Sequence, residues 1–184
     1  MTSSSLHHRH LWAPDRLSAA ERRALLTTAA AVKRTKAHQP DWRPLLGRRV
    51  ALLGGGDTAA TALFERAVAD LGGSVSLLDG HAWHERAGGR VDEAARLLGR
   101  LYDAVDCCGL PAPLLAQIDG QAGVPVFDGL GRADHPLTRL AEQLTEQELH
   151  GGDGLAAEAE TADGDRRALN RLRTLQAAIV CALP

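Results

Sequence analysis

Four groups of residues in this chain are of types that do chemistry. The first is the turn Gly54-Gly55-Gly56-Asp57-Thr58-Ala59-Ala60-Thr61, which follows a short apolar run, Val50 to Leu53. A strand, a glycine turn and a helix start form the usual place for an anion, because free N–H groups and the positive end of the helix dipole meet there. Gly55, Gly56, Asp57, Thr58 and Thr61 are therefore candidate ligand-binding residues. The second group is His81, His84 and Glu85 in a polar loop, with Arg90 just beyond as a candidate cation for an anionic ligand. The third is Cys107-Cys108, and the fourth is His135 before Pro136. Cys108 with His135 could form a nucleophile and its base, or with Asp57 a metal site. Ligand spacing argues against the metal: His81-x-x-His84 is only suggestive and Cys-Cys is not Cys-x-x-Cys. No metal and no cofactor are expected.

The glycine turn is unusual for an anion site. Asp57 already places a negative charge at the helix start, and no Lys or Arg lies between Arg49 and Arg66. There is no Gly-Lys-Ser/Thr ending of a P-loop, and position 59 is Ala where a G-x-G-x-x-G would close on Gly. The competing reading is a tight strand-to-helix turn with a capping Asp.

The elements that position these residues alternate. Ser18 and Glu21 form a capping box for a helix running to about His38. Val50–Leu53 is a strand, Ala59–Asp70 a helix closed by Gly72, and Ser74–Leu78 a second strand. Val91–Leu101 is a helix, 103–107 a third strand, 111–119 a short helix, 124–127 a fourth strand, and Pro136 opens a helix to about Leu149. The pattern predicts an α/β three-layer sandwich, with a parallel sheet of four strands or slightly more and helices on both faces. Residues 1–13 read as a flexible tail, 14–149 as the α/β domain and 150–165 as a flexible acidic linker. Residues 166–184 read as a helix docked back on the domain, with Leu169, Leu172, Leu175, Ala178 and Ile179 as its apolar stripe.

Composition narrows the function classes. The 184 residues carry a formal net charge of −2, which gives no global pull toward nucleic acid or membrane. No apolar run approaches the roughly 20 residues of a membrane span. Three cysteines, two of them adjacent, do not make a disulfide framework, and a reducing cytoplasm fits best. His7, His8 and His10 near the start read as part of the tail.

The order of elements and several residues resemble the carbamoyl-phosphate domain of the aspartate/ornithine carbamoyltransferase family. The resemblance is carried by Ala95-Arg96-Leu97-Leu98-Gly99-Arg100-Leu101-Tyr102-Asp103-Ala104, and by Phe64-Glu65 with Asp70-Leu71-Gly72. It continues through Gly123-Val124-Pro125-Val126, Gly129-Leu130 and His135-Pro136, and Asn170 to Ala177 resembles the family's C-terminal helix. The family's phosphate loop is Ser-Thr-Arg-Thr-Arg; here Asp57-Thr58-Ala59-Ala60-Thr61 stands in its place. The family's Tyr-Arg-Gly arginine falls on Cys108, and its His-Pro-Thr-Gln on His135-Pro136-Leu137-Thr138. Its Lys-Glu-Ser falls on Gly88-Gly89-Arg90, and its amino-acid-binding domain has no counterpart beyond the stretch 150–165. Each Arg–phosphate contact contributes about 1.5–3 kcal/mol, so losing three removes on the order of 5 kcal/mol or more.

The resemblance thus implies a catalytically inactive, carbamoyltransferase-like protein that assists an enzyme by assembly, stabilisation or regulation. The family's first domain makes its trimer contacts, which implies a homotrimer or a hetero-oligomer through the α/β domain. The alternative is a repurposed enzyme or small-molecule binder using a Cys108/His135 pocket at the sheet edge.

Overall fold

The computed structural model describes residues 17–54, 57–80, 83, 89–150 and 159–183. The candidate residues Gly55, Gly56, His81, His84 and Glu85 lie outside these, as do the tail 1–13 and the part of the expected linker at 151–158.

Helix α1 (Ala19–His38) begins as its capping box requires. Ser18 Oγ accepts from the Glu21 N–H at 3.2 Å, and the Glu21 carboxylate accepts from the Ser18 N–H at 2.7 Å. Four strands follow: β1 (Arg49–Gly54), β2 (Ser74–Leu78), β3 (Ala104–Cys108) and β4 (Val126–Phe127). Between and after them come α2 (Thr58–Asp70), α3 (Gly89–Leu101), α4 (Ala112–Ala122), α5 (Leu137–His150) and α6 (Ala159–Ala182). The sheet order is β2-β1-β3-β4 and every pairing is parallel, with Leu53 level with Leu78 and Cys107, and Gly54 with Cys108.

Alternation along β1 builds two cores. Val50 and Leu52 point into a cluster with Leu25, Phe64, Val68, Leu175 and Ile179, so α1, α2 and α6 cover that face. Ala51 and Leu53 point the other way, against Ala95, Leu98, Leu115 and Ile118 of α3 and α4. Helices therefore lie on both sides of the sheet, the three layers the alternation predicts. Close approach fixes two of the contacts. A Cβ on Gly99 would strike the Ala122 carbonyl of α4, and one on Gly131 would strike the Ala60 carbonyl of α2.

Strand and helix ends differ from expectation by a few residues, as terminal turns often do. β4 starts at Val126 rather than residue 124. Pro125 has no N–H for the ladder, but its carbonyl accepts from Val105 at 2.9 Å. The larger correction concerns the expected linker at 150–165, because α6 already begins at Ala159. Low apolar content suggested a coil there, but Ala and Glu are strong helix formers and Asp163 pairs with Arg167 one turn on at 2.9 Å. The stripe on α6 also shifts: Leu172, Leu175, Ala178 and Ile179 are buried while Leu169 stays 40% exposed. Asn170, Thr174 and Gln176 are buried instead. Asn170 donates to Thr145 Oγ1 at 3.1 Å and Gln176 to Asp70 at 3.3 Å, so the polar groups in this interface are satisfied and fix its register. Among the described residues no helix is long and apolar enough to cross a membrane.

Candidate functional site

Parallel α/β sheets bind ligands at the carboxyl ends of their strands. Here β1 and β3 end side by side at Gly54 and Cys108. Gly54 has φ +97°, and a side chain there would run into the Cys108 carbonyl, so only glycine lets the two strand ends lie this close. The chain then reaches Asp57, whose extended backbone caps α2. One carboxylate oxygen, Oδ1, accepts from the Ala59 N–H at 2.9 Å and the Ala60 N–H at 3.1 Å. These are donors that an anion at the helix N-terminus would use. Thr61 N–H closes the first turn on the Asp57 carbonyl at 3.0 Å, and Thr58 is exposed beside it.

The loop from β4 to α5 forms the other wall. It hangs on Asp106, a fully buried carboxylate in the middle of β3 that accepts from the Gly129 N–H at 2.7 Å and the Leu130 N–H at 3.2 Å. Burial pushes its pKa up to about 7; the two N–H donors pull the other way, and Asp128 adds to the rise. Gly129, at φ +64°, brings three groups together. A Cβ there would lie 2.6 Å from Arg132 Cδ and 3.5 Å from Cys108 Sγ. The Arg132 stem thus passes the thiol, and its guanidinium is held by Asp134 in a two-point fork, Nε–Oδ1 2.9 Å and Nη2–Oδ2 2.6 Å. The fork raises the Arg132 pKa and lowers that of Asp134.

This setting does not activate the thiol. Burial raises the Cys108 pKa, and Asp106, Asp57 and Asp128 raise it further; Arg132 offsets only part of that. A thiol held above its ordinary range is protonated at neutral pH and is a poor nucleophile. The neighbours that set its charge state are carboxylates and a guanidinium. His135 is buried, and its Nδ1 accepts from the Leu137 N–H at 3.2 Å, capping the start of α5. Among the described residues no group of three His, Cys, Asp or Glu side chains could hold a metal ion. Arg90 is exposed on α3 and opens onto a groove of about 710 Å³ beside β2, lined by Leu78, Asp79, Trp83, Leu97 and Leu101. Asp57, Cys108 and His135 do not line that groove.

Sequence reasoning brought Asp57 and Cys108 to the same edge but missed Asp106, Arg132 and Asp134. One signal was available for Asp106, a single acid inside the otherwise apolar strand Ala104–Cys108. A charge in that position must find several donors or change its protonation.

Residues 9–148 match the family model described as aspartate/ornithine carbamoyltransferase, carbamoyl-P binding domain. The chain belongs to this family. A catabolic ornithine carbamoyltransferase of Burkholderia mallei is 33% identical over 147 residues, which are 79% of this chain and 44% of that protein. The ornithine carbamoyltransferase of Pyrococcus furiosus superposes with a TM-score of 0.67 at 30% identity, over 80% of this chain and 47% of that one. The aspartate transcarbamoylase of Trypanosoma cruzi, solved with carbamoyl phosphate, gives a TM-score of 0.64 at 23% identity, over 82% of this chain and 47% of that one, and shares the fold. The matched part of this chain thus spans about half the length of the relatives it matches.

Proposed function

We propose that this chain is a carbamoyltransferase-like protein that does not transfer carbamoyl groups and acts by association with an enzyme or with further copies of itself. The observation that carries the first half is the Asp57 carboxylate on the Ala59 and Ala60 N–H groups. An anion site at the N-terminus of α2 is occupied by the chain's own anion. A phosphate arriving there would have to displace it and would meet a like charge. Arg132, whose stem passes Cys108, is already paired with Asp134. Carbamoyl transfer depends on positioning and on charge stabilisation, and the described residues at the start of α2 supply a carboxylate rather than a positive charge for either.

The second half is supported by apolar surface beside the edge strand. Leu97 and Leu101 on α3 are 54% and 43% exposed. Leu97 and Leu101 line the 710 Å³ groove together with Leu78 and Ala94. Contiguous exposed apolar side chains of this kind mark interaction surfaces. The groove's rim carries both signs of charge, Arg90 against Asp79 and Glu93, which suits a protein partner.

Two measurements test the proposal. The purified chain is assayed for citrulline formation from ornithine and carbamoyl phosphate, and no turnover above the uncatalysed rate is expected. Its mass is then followed by sedimentation over a concentration series, alone and with an ornithine carbamoyltransferase of the same organism. A stable oligomer or a mixed complex supports the reading. Citrulline formation, or a monomer that ignores the enzyme at every concentration, contradicts it.

A further inference from the structure

The two edges of the sheet differ in how they are protected. At one edge β4 is two residues long and follows directly on Pro125. Shortness and proline both discourage pairing with another chain. At the other edge β2, Ser74-Val75-Ser76-Leu77-Leu78, carries no charge, no proline and no glycine. Its inner side is used. The Ser74 N–H donates to the Arg48 carbonyl at 3.0 Å, and β2 stays in parallel register with β1 as far as Leu78. Alternate residues of a parallel strand bond to the same neighbour, so Ser74, Ser76 and Leu78 serve β1. Val75 and Leu77 turn their N–H and C=O groups outward, where β2 has no strand partner among the described residues. The side chain of Leu77 is 58% exposed as well.

Side chains alternate along the same strand. Val75 packs on the core under α2 and Leu78 on the core under α3, so Leu77 belongs to the α2 face and Ser76 to the α3 face. Apolar surface therefore flanks the edge on both sides. Leu77 lies on one, and the groove of Leu78, Leu97 and Leu101 on the other. A strand added outside β2 would cover both.

Self-complementarity selects the occupant. A two-fold axis at Ser76 sets Val75 of one copy opposite Leu77 of the other, and Leu77 opposite Val75. Those are the residues with outward main-chain groups, and each such pair exchanges both its N–H···O=C bonds. The same pairing lays Leu77 against Val75 on the α2 face. Leu78 falls opposite Ser74 on the α3 face. The last turn of α3 ends near that level, because Ala104 is level with Val50 and Val50 with Val75. The second copy's Leu78 is thereby brought toward Leu101. Charges at the strand ends agree with this register, which sets Asp79 opposite Gly73. Beside Gly73 stands Arg43, exposed and with its stem against Gly72, where an added Cβ would lie 2.7 Å from Arg43 Cβ. The other charges near this end are matched within the chain, Lys36 with Asp70 and Arg48 with Asp103.

We propose that β2 pairs antiparallel with β2 of a second copy across this two-fold axis, joining the two sheets into one. The two α3 helices then lie on the same face, with Leu97 and Leu101 turned toward the seam. The proposal rests on the association half of the function proposed above, and adds the partner, the strand and the register. A seam built on a five-residue strand and its flanking groove stands at the small end of specific interfaces. A dimer that forms at micromolar rather than nanomolar concentration is therefore expected.

The test follows the mass of the full chain by sedimentation from about 1 μM to about 1 mM, with amide hydrogen exchange read residue by residue at both ends of the series. A monomer–dimer equilibrium is expected. The Val75 and Leu77 amides should slow as the dimer forms, while Ser76 and Leu78, bonded to β1, are slow throughout. Leu77→Lys, on an exposed side chain, should weaken the dimer at least about tenfold with the monomer's melting temperature nearly unchanged. Ser76→Cys provides a second reading. A residue opposite itself in a non-hydrogen-bonded pair has its Cα about 4.5 Å from its copy, within disulfide reach, so mild oxidation should cross-link this variant far more than the wild type. A monomer up to about 1 mM, a trimer, a dimer that Leu77→Lys leaves intact, or Val75 and Leu77 amides indifferent to concentration overturns the proposal. Any of these together with a mixed complex with the enzyme would leave the proposed function standing. Citrulline formation by an intact dimer would remove that function and leave the β2 seam, so the two readings fail separately.

Discussion

Replacing Asp106 by Asn should abolish a pH dependence of stability that the wild type carries. Asp106 is buried at 1% exposure, and the partners shown for its carboxylate are the N–H groups of Gly129 and Leu130. Its pKa rises from 3.8 to about 7 on folding. Between those values the folded chain holds a proton that the unfolded chain has lost, so stability falls as pH rises and the loss is complete above the folded value. From about pH 5 to about pH 8.5 this spans roughly two pH units at one proton, on the order of 3 kcal/mol. Against a total stability of about 5–15 kcal/mol that is easily read. Asp103 and Asp134 have lowered values, so the stability they add is lost only at more acid pH and does not blur this window. Asp128, whose value is also raised, is present in both proteins and cancels in the comparison. Asn Oδ1 can still accept from both N–H groups, but an NH2 then faces the Leu130 N–H where Oδ2 now accepts, which costs about 1–3 kcal/mol. Urea unfolding at about pH 5, 7 and 8.5 should therefore give lines that approach or cross. The variant is the weaker protein at pH 5 and at least equal at pH 8.5. A variant with the wild-type pH slope, or one that loses several kcal/mol at pH 8.5, refutes the reasoning.

Four further outcomes follow from the structure. Gly99→Ala forces a methyl into the Ala122 carbonyl and should destabilise by about 3 kcal/mol or more in thermal unfolding, because backbone must move. Gly120→Ala, in α4 with open space around it, should stabilise by about 0.5–1 kcal/mol in the same assay. Asp57→Ala should cost about 1 kcal/mol through loss of the cap, whereas Asp57→Ser, which keeps an acceptor oxygen, should stay within a few tenths of the wild type. Leu97→Glu, on a side chain already 54% exposed, should leave the melting temperature nearly unchanged while weakening self-association or partner binding at least about tenfold by sedimentation.

Much of the architecture could be read from local chemistry. Ser18 with Glu21, Asp57, Gly72 and the apolar run at Val50–Leu53 each fix an element end or a buried strand by interactions within a few residues. The C-terminal helix was harder. Its buried face includes Asn170, Thr174 and Gln176; Thr174 donates one turn back to the Asn170 carbonyl, but the partners of Asn170 and Gln176, Thr145 and Asp70, lie outside the helix. An apolar stripe alone therefore points the helix toward Leu169, and the acidic stretch before it hides a start at Ala159. At the site, the cap by Asp57 is local and was foreseen. The Asp106 latch on residues 129–130 joins segments 23 and 24 residues apart. The place of Arg132 beside Cys108 likewise depends on the tertiary path of the loop at Gly129. Neither has a spacing that a sequence reveals.

The central claim is that Asp57 occupies the anion site at the start of α2. It is tested most directly by following the Ala59 and Ala60 amide resonances while carbamoyl phosphate is added to the wild type and to Asp57→Ser. The account predicts that both amides stay in place in the wild type at millimolar ligand, their N–H groups being already bonded to the Asp57 carboxylate. A saturable shift of these two amides in the wild type would contradict it, because it would mean that the phosphate displaces the carboxylate and that the site is still open.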